Sequence, residues 1–242
     1  DWLDHIKVKD GNPFRSLDVR LKTGNILNAV RFKLLIPETR NNLNEILGSL
    51  ILKELNFITP ETFQVNTKIN GAKNIMIFQE KSQKELLERN NKREGPIFEG
   101  DEELLWGFEN FNIFELENVS LSKLLNDNWF SKGNNYQIIT IKAFQKLQTA
   151  YLEYINYYMK SKTVLFPNFK ENEIFLDYHL LLESMNGYHA LRPHNRQYYY
   201  NIYLDSFEPI YYDGMFKLTK PIEKFNKNIY SKSQIKKIDE SL

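Results

Sequence analysis

AVRFKLLIPETRNNLNEILGSLILKEL, residues 29–55, runs from a strand into a helix and decides the fold. AVRFKLL (29–35) reads as a strand, and Pro37 with Thr39 announces a helix start. Leu43, Ile46, Leu47, Leu50, Ile51 and Leu55 then recur at helical spacing and give one apolar stripe over about 41–55. Upstream, HIKVK (5–9) ends at the turn signal Asp10-Gly11-Asn12. SLDVRLK (16–22) alternates, with Leu17, Val19 and Leu21 on one face and Asp18, Arg20 and Lys22 on the other. Downstream, TFQVNTKI (62–69) and KNIMIFQE (73–80) are two strands joined by Asn70-Gly71, the strongest short hairpin signal. The first 81 residues therefore form one unit: three strands, a helix and two strands.

The remainder reads as mainly helical. SQKELLERNNKRE (82–94) is expected to be a charged helix ending at Gly95-Pro96, and 97–136 an irregular region carrying Trp106, Phe108 and Trp129. A long helix is expected over 137–160, with Ile138, Ile141, Phe144, Leu147, Tyr151, Leu152 and Ile155 facing inward, and another over about 171–185. The tail 222–242 is polar and lysine-rich. The boundary between the two parts falls near Lys81. Composition narrows the chemistry. The 32 basic and 31 acidic residues leave a net charge of +1, so no bulk attraction to nucleic acid is implied. The absence of cysteine excludes disulfides, thiol nucleophiles and Cys-ligated metals. The four His fit no metal-site spacing. No apolar run of about 18 residues suggests a membrane span.

One further stretch carries chemistry: HALRPHNRQYYYNIYLDSFEPIYYDGM, 189–215. A loop with two His, two Arg and an Asn leads into a strand pair, which closes on Asp213-Gly214. Protein-kinase-like enzymes deliver a catalytic loop and a metal-binding Asp to one cleft in this way. The alternative is an aromatic hairpin packed on a core beneath a solvated polar loop. The three-strand, helix, two-strand order of 1–81 is likewise that of a kinase N-terminal lobe. The expected fold is thus α+β and two-lobed. Residues 1–81 form an N-terminal antiparallel sheet with one helix, and 82–242 a mainly helical C-terminal lobe with a β-hairpin near the site.

DWLDH (1–5), SLDVRLK (16–22), FKLLIPETRNNLNE (32–45), the strand-turn-strand around ING (69–71), KELLERNNKREGPI (84–97) and HALRPHNRQYYY (189–200) occur in one order across most of the chain. In that order they resemble the CotH-type spore-coat kinases and the wider group of bacterial CotH-like proteins. The resemblance implies an atypical protein-kinase-like fold that binds ATP and Mg2+ or Mn2+ and phosphorylates Ser or Thr on a partner protein. It also implies an extracytoplasmic or cell-surface location. The opening resembles the middle of a longer family motif, which supports an N-terminal truncation.

Phosphoryl transfer needs cations on the phosphates, an ion pair to fix them, a metal ligand and a group that orients the nucleophile. Arg20 and Lys22 share the polar face of one strand and either could reach a cleft; the alternative is a solvated strand face. Lys33, on the next strand, holds the cation's place in ordinary kinases by order, but the CotH-like pattern does not require it, so it ranks below Lys22. Glu45 on the helix is the natural ion-pair partner, the alternative being an exposed helix charge, and Glu80 falls where a nucleotide base would meet the hinge. Arg93 and Glu94 form a structural or phosphate-side pair. Asp213 is the foremost candidate metal ligand, the alternative being an Asp-Gly turn that caps a strand, and Asn195 is the second candidate, flanked by His194 and Arg196. CotH-type kinases carry an Asp a few residues before this Asn and a second Asp after the metal Asp. Here His189, Ala190 and Arg192 stand at the first place and Met215 at the second. Two accounts stay open. Either His189 orients or deprotonates the acceptor hydroxyl, or the protein is a pseudokinase that serves as a binding or assembly module, for which its 14 Tyr and 17 Phe offer surface.

Overall fold

A computed structural model describes residues 6–9, 11–69, 71–101, 122–161 and 172–222. The fold is α+β, with three antiparallel sheets and five α-helices among the described residues. Strands β1 (Ile6–Lys9) and β2 (Asn12–Arg15) pair by themselves as a hairpin. The second sheet contains β3 (Leu17–Arg20), β4 (Arg31–Leu35), β5 (Thr62–Ile69) and β6 (Ala72–Glu80), in the order β3-β4-β6-β5. Register between β5 and β6 closes at Ile69 opposite Ala72, and Gly71 takes the left-handed conformation that the tight turn requires (φ +89°). On one face of this sheet Phe32 and Phe63 both stack on Phe78, with ring centroids 4.7 and 4.6 Å apart.

Helix α1 (Leu43–Glu54) joins β4 to β5, but its faces are reversed from the simple amphipathic pattern. The buried residues are Glu45, Gly48, Ser49 and Leu52, whereas Leu43, Leu47, Leu50, Ile51 and Leu55 are 41–52% exposed. Two contacts explain the reversal. Ser49 Oγ donates to the carbonyl of Pro60 at 3.2 Å. The Phe216 ring lies so close to Gly48 that a Cβ there would sit 2.0 Å from it, so no side chain fits on that face.

The expected helix over 82–94 is confined to α2 (Lys84–Arg89). Asn90 ends it by tying its last turn to Thr59: its side chain donates to Leu86 O at 2.8 Å and to Thr59 O at 3.1 Å, and accepts from Thr59 N at 3.2 Å. The following residues run as an open segment into β7 (Ile97–Gly100), with Lys92 held 2.5 Å from Glu208. The region expected to be irregular therefore contains sheet. Strand β7 pairs with β8 (Ser122–Leu124) and with β9 (Gln197–Asn201), and β9 pairs with β10 (Ser206–Ile210). The expected hairpin is thus half of a four-stranded sheet, ordered β10-β9-β7-β8. Trp106 and Phe108 lie outside the described residues.

After the short α3 (Asp127–Phe130), helix α4 (Asn134–Ser161) covers this third sheet. Ala143, Leu147, Ala150 and Tyr151 pack with Phe98, Tyr198 and Phe207. That stripe leaves Ile138, Ile141 and Leu152 outside it, 64%, 51% and 63% exposed, which corrects the expectation that they face inward. Phe144 sits at the margin, its ring 6.3 Å from Phe98, and the Ile155 side chain is outside the described set. Helix α5 (Asn172–Ser184) buries Phe175, Leu176, Tyr178 and Leu182. Two clusters straddle Lys81. Leu52 and Phe57 pack with Tyr178, Leu182, Tyr211 and Phe216, and Ile58 packs with Leu86, Leu87, Ile97, Tyr199 and Ile210.

Candidate functional site

Three of the five buried charged residues among those described, Arg40, Glu45 and Asp213, lie where β4, the start of α1 and the turn following β10 meet. That turn is sharply bent: Asp213 and Met215 both have left-handed φ (49° and 50°). Between them Gly214 donates its N–H to Tyr211 Oη at 2.9 Å, and a Cβ on it would approach that oxygen to 2.8 Å. The bend places the Asp213 carboxylate inside the protein, 6% exposed. Arg40, from a 3-10 turn over Pro37–Arg40, meets it with Nη2 3.1 Å from Oδ2. His189 Nδ1 lies 2.9 Å from the Asp213 carbonyl oxygen and 3.5 Å from its Oδ1. Oδ1 itself is buried without a hydrogen-bond partner.

Lys33 comes from β4, and its Nζ bonds Tyr212 Oη beside this pair. Glu45, fully buried on the inward face of α1, is held entirely by hydrogen-bond donors. Tyr211 Oη donates to its Oε1 at 2.6 Å, Gln79 Nε2 donates to Oε1 at 3.2 Å, and Met215 N donates to Oε2 at 3.3 Å. The protonation states follow from these surroundings. Burial and the neighbouring Asp213 charge push Glu45 up to about 7, against the opposing pull of Tyr211, Arg40 and Gln79. Burial works against the Asp213 anion too, but His189, Arg40 and Lys33 outweigh it and hold this carboxyl below its ordinary value. Burial alone would lower His189, yet the bonds and charge of Asp213 leave it raised. Lys33 is raised in the same way, by Tyr212 and Asp213 against burial and Arg40.

Of the residues singled out from sequence, Asp213, Glu45, His189 and Asn195 are brought together. Asn195, 7% exposed, donates its side-chain N–H to the His189 carbonyl at 2.8 Å and so shapes the loop. His194 stands edge-on to the His189 ring, centroids 6.5 Å apart. Arg196 turns back to donate Nε to the Leu191 carbonyl at 2.8 Å. Other residues lie elsewhere. Arg20 and Lys22 are exposed, and the sheet cation that acts on Asp213 is Lys33. Glu80 is taken by Arg89, which donates Nη2 and Nε to its two oxygens at 3.0 and 3.1 Å. Arg93 and Glu94 do not pair with each other: Arg93 donates to Tyr203 Oη at 2.7 Å, and Glu94 meets Lys132 at 2.5 Å.

Three members of the cluster, Arg40, Gln79 and Tyr211, were not singled out from sequence. Arg40 had a usable signal: it lies between a strand and a helix, inside the segment FKLLIPETRNNLNE. Gln79 and Tyr211 had none, since a Gln near a strand end and one Tyr among 14 look alike everywhere.

Among the described residues no three His, Cys, Asp or Glu side chains gather as a metal-ligand set. A divalent cation here would take few ligands from the protein and most from phosphate and water, as Mg2+ does in phosphoryl-transfer sites. The buried Oδ1 of Asp213, left without a hydrogen bond, fits that role. Comparison with known proteins adds no assignment: no family model matches the chain and no curated protein sequence is similar to it. No helix among the described residues is long and apolar enough to cross a membrane.

Proposed function

We propose that this chain is a CotH-like, kinase-type phosphotransferase that moves the γ-phosphoryl group of ATP to a Ser or Thr hydroxyl of an extracytoplasmic or surface protein. The observation that carries the reading is the meeting of Lys33, Arg40, Glu45 and Asp213 at one buried point, with Asp213 Oδ1 left without a hydrogen bond. The placement supports it as well. The cation is on the strand preceding the helix, the buried Glu on the helix, and the metal-binding Asp on the turn after a hairpin, which is how protein kinases distribute the same parts. The kinase-like, two-lobed description of the fold belongs to this proposal.

ATP with Mg2+ or Mn2+ supplies the transferable group and the charge that neutralises it. Asp213 and Asn195 are the residues that would hold the cation, and Lys33 the one that would bind phosphate oxygens. The acceptor hydroxyl oxygen bonds to the γ-phosphorus, the bond to the β–γ bridging oxygen breaks, and ADP leaves. His189 would orient the hydroxyl and take its proton. With Nδ1 committed to the Asp213 turn, that proton would go to Nε2.

A second reading has its own observation. Arg40 on Asp213 and Tyr212 on Lys33 already satisfy the charges that a nucleotide would use, and Glu45 is bonded by Tyr211 and Gln79. A pseudokinase serving as a binding or assembly module would keep such a site permanently closed. Melting curves with ATP, with and without Mn2+, separate the two. A ligand at a hundredfold excess over Kd stabilises the native state by about 2.7 kcal/mol. The expected result is a metal-dependent rise in Tm that disappears in Asp213→Ala. No rise in the folded parent would favour the module.

A further inference from the structure

The junction between β4 and α1 grips the turn after β10 at three points. Arg40 Nη2 pairs with Asp213 Oδ2 at 3.1 Å. Asn41 Nδ2 donates to the carbonyls of Met215 and Phe216 at 2.7 and 3.2 Å. Glu45 Oε2 accepts from Met215 N at 3.3 Å. The junction is itself tightly wound, since Asn41 and Asn42 both carry left-handed φ (52° and 58°).

Arg40 is unusual within this grip. It is 7% exposed, its Nη1 donates to the Thr39 carbonyl at 2.9 Å, and its Nε is buried without a partner. A guanidinium serving only as a clamp would be expected to have its donors matched, because each buried donor left unmatched carries a desolvation cost. What Arg40 does supply is positive charge, delivered to the same carboxylate whose other oxygen, Oδ1, is buried without a hydrogen bond, with only His189 Nδ1 beside it at 3.5 Å. Both sides of the ion pair are thus incompletely satisfied, as in an arrangement meant to be exchanged.

A divalent cation on Asp213 would lie within a few ångströms of Arg40 in a buried setting, where like charges repel far more strongly than in bulk water. The two cations are rivals for one anion. Resting on the cation-binding reading proposed above, we propose that Arg40 is an internal counter-ion that holds the place of the divalent cation at Asp213, and that its withdrawal with the 40–45 junction opens the site. Arg40 is then a positioning residue that sets cation affinity. The junction moves with it because Asn41 and Glu45 hold the same turn.

The test uses Mn2+ alone, with the unbound ion counted by electron paramagnetic resonance, on the full chain and on Arg40→Gln, Arg40→Lys and Asp213→Asn. Arg40→Gln is expected to bind Mn2+ at least about tenfold more tightly than the parent, a conservative reading of the repulsion removed. Arg40→Lys keeps a cation on the carboxylate and should stay within about threefold of the parent; Asp213→Asn should lose binding. If Asp213→Asn abolishes Mn2+ binding while Arg40→Gln binds no better than the parent, the counter-ion role is overturned and the cation reading stands. If neither the parent nor Arg40→Gln binds Mn2+, both fall.

Amide hydrogen exchange on the parent keeps the question open to test even if Arg40→Gln fails to fold. Saturating Mn2+ should speed exchange across residues 40–45. Unchanged exchange with Mn2+ bound would mean that the cation and Arg40 share Asp213 without rivalry, which overturns the proposal.

Discussion

Helices α1 and α5 both carry runs of aliphatic residues, and the protein uses them in opposite ways. In α5 the apolar residues Phe175, Leu176, Tyr178 and Leu182 are buried, while Glu173 and Asp177 face outward. In α1 the inward positions are Glu45, Gly48, Ser49 and Leu52, and four large aliphatic residues, Leu43, Leu47, Leu50 and Ile51, lie outside. Helix α5 is placed mainly by apolar packing, and its one buried carboxylate, Glu183, sits near its C-terminal end, 3.9 Å from His179 one turn earlier. Helix α1 is placed by what it must deliver: a carboxylate to Tyr211, Gln79 and Met215, and a gap at Gly48 for the Phe216 ring. Burying a carboxylate costs free energy unless donors meet it, and here three do. The side of α1 that faces the turn is therefore spent on the site.

The sharpest way to break this contrast is a matched pair of truncations. Leu182→Ala on α5 removes a side chain with no exposed surface, and should cost about 2–5 kcal/mol in urea unfolding. The matched change on the outer face of α1, Leu50→Ala, should cost far less, because Leu50 is 49% exposed. Equal losses at the two positions would mean that the reversal of α1 is not the state in solution.

Less of α1 was legible in sequence than of the strands of the second sheet. Strands β3 to β6 follow from alternation and from Asn70-Gly71, both local signals, and the length of α1 follows from Pro37 and its periodic leucines. Its orientation does not, because the partners of Glu45 are Gln79 and Tyr211, which lie 34 and 166 residues away. Strands β7 and β8 were missed for a similar reason. They are four and three residues long, too short for a period, and Ile97 of β7 finds its partner at Tyr199. At the site, residues with conspicuous chemistry such as Asp213, Glu45 and His189 could be named in advance. The choice of cation could not. Lys22 and Lys33 occupy neighbouring strands, and only the sheet's placement against the 211–216 turn shows which one meets Asp213.

The polar side of the comparison can be sharpened with pH. The Glu45 carboxyl is raised in the folded protein to about 7, from 4.5 in an unfolded chain. A raised folded value means that the native state binds the proton more tightly. The corresponding stability is full below pH 4.5 and is lost as pH rises through about 7. At 1.36 kcal/mol per pKa unit this is on the order of 3 kcal/mol. His189, also raised, adds a loss of the same sign above its ordinary value, and Asp213, lowered, acts only at more acid pH. Glu45→Gln should therefore flatten the fall in stability between pH 5 and pH 8 and leave the smaller His189 part. Parallel profiles for parent and variant would show that Glu45 is ionised throughout this range.

The smallest effect is expected on the apolar side of α1, and it is the most direct test of the helix's orientation. Leu50 is 49% exposed, and its neighbours on that face, Leu47 and Ile51, are 49% and 41% exposed. Truncating such a side chain creates no cavity, because solvent already occupies half of its surroundings, so Leu50→Ala should change stability by no more than about 0.5 kcal/mol. Leu50→Gln should be equally mild, since it introduces no buried polar atom. Leu52, two residues on, is fully buried, and its truncation should behave like that of Leu182. The two leucines differ only in which side of one helix they occupy, so propensity and local sequence cancel between them. A loss above about 2 kcal/mol at Leu50 would show that this face is covered in solution, and α1 would then bury both of its sides.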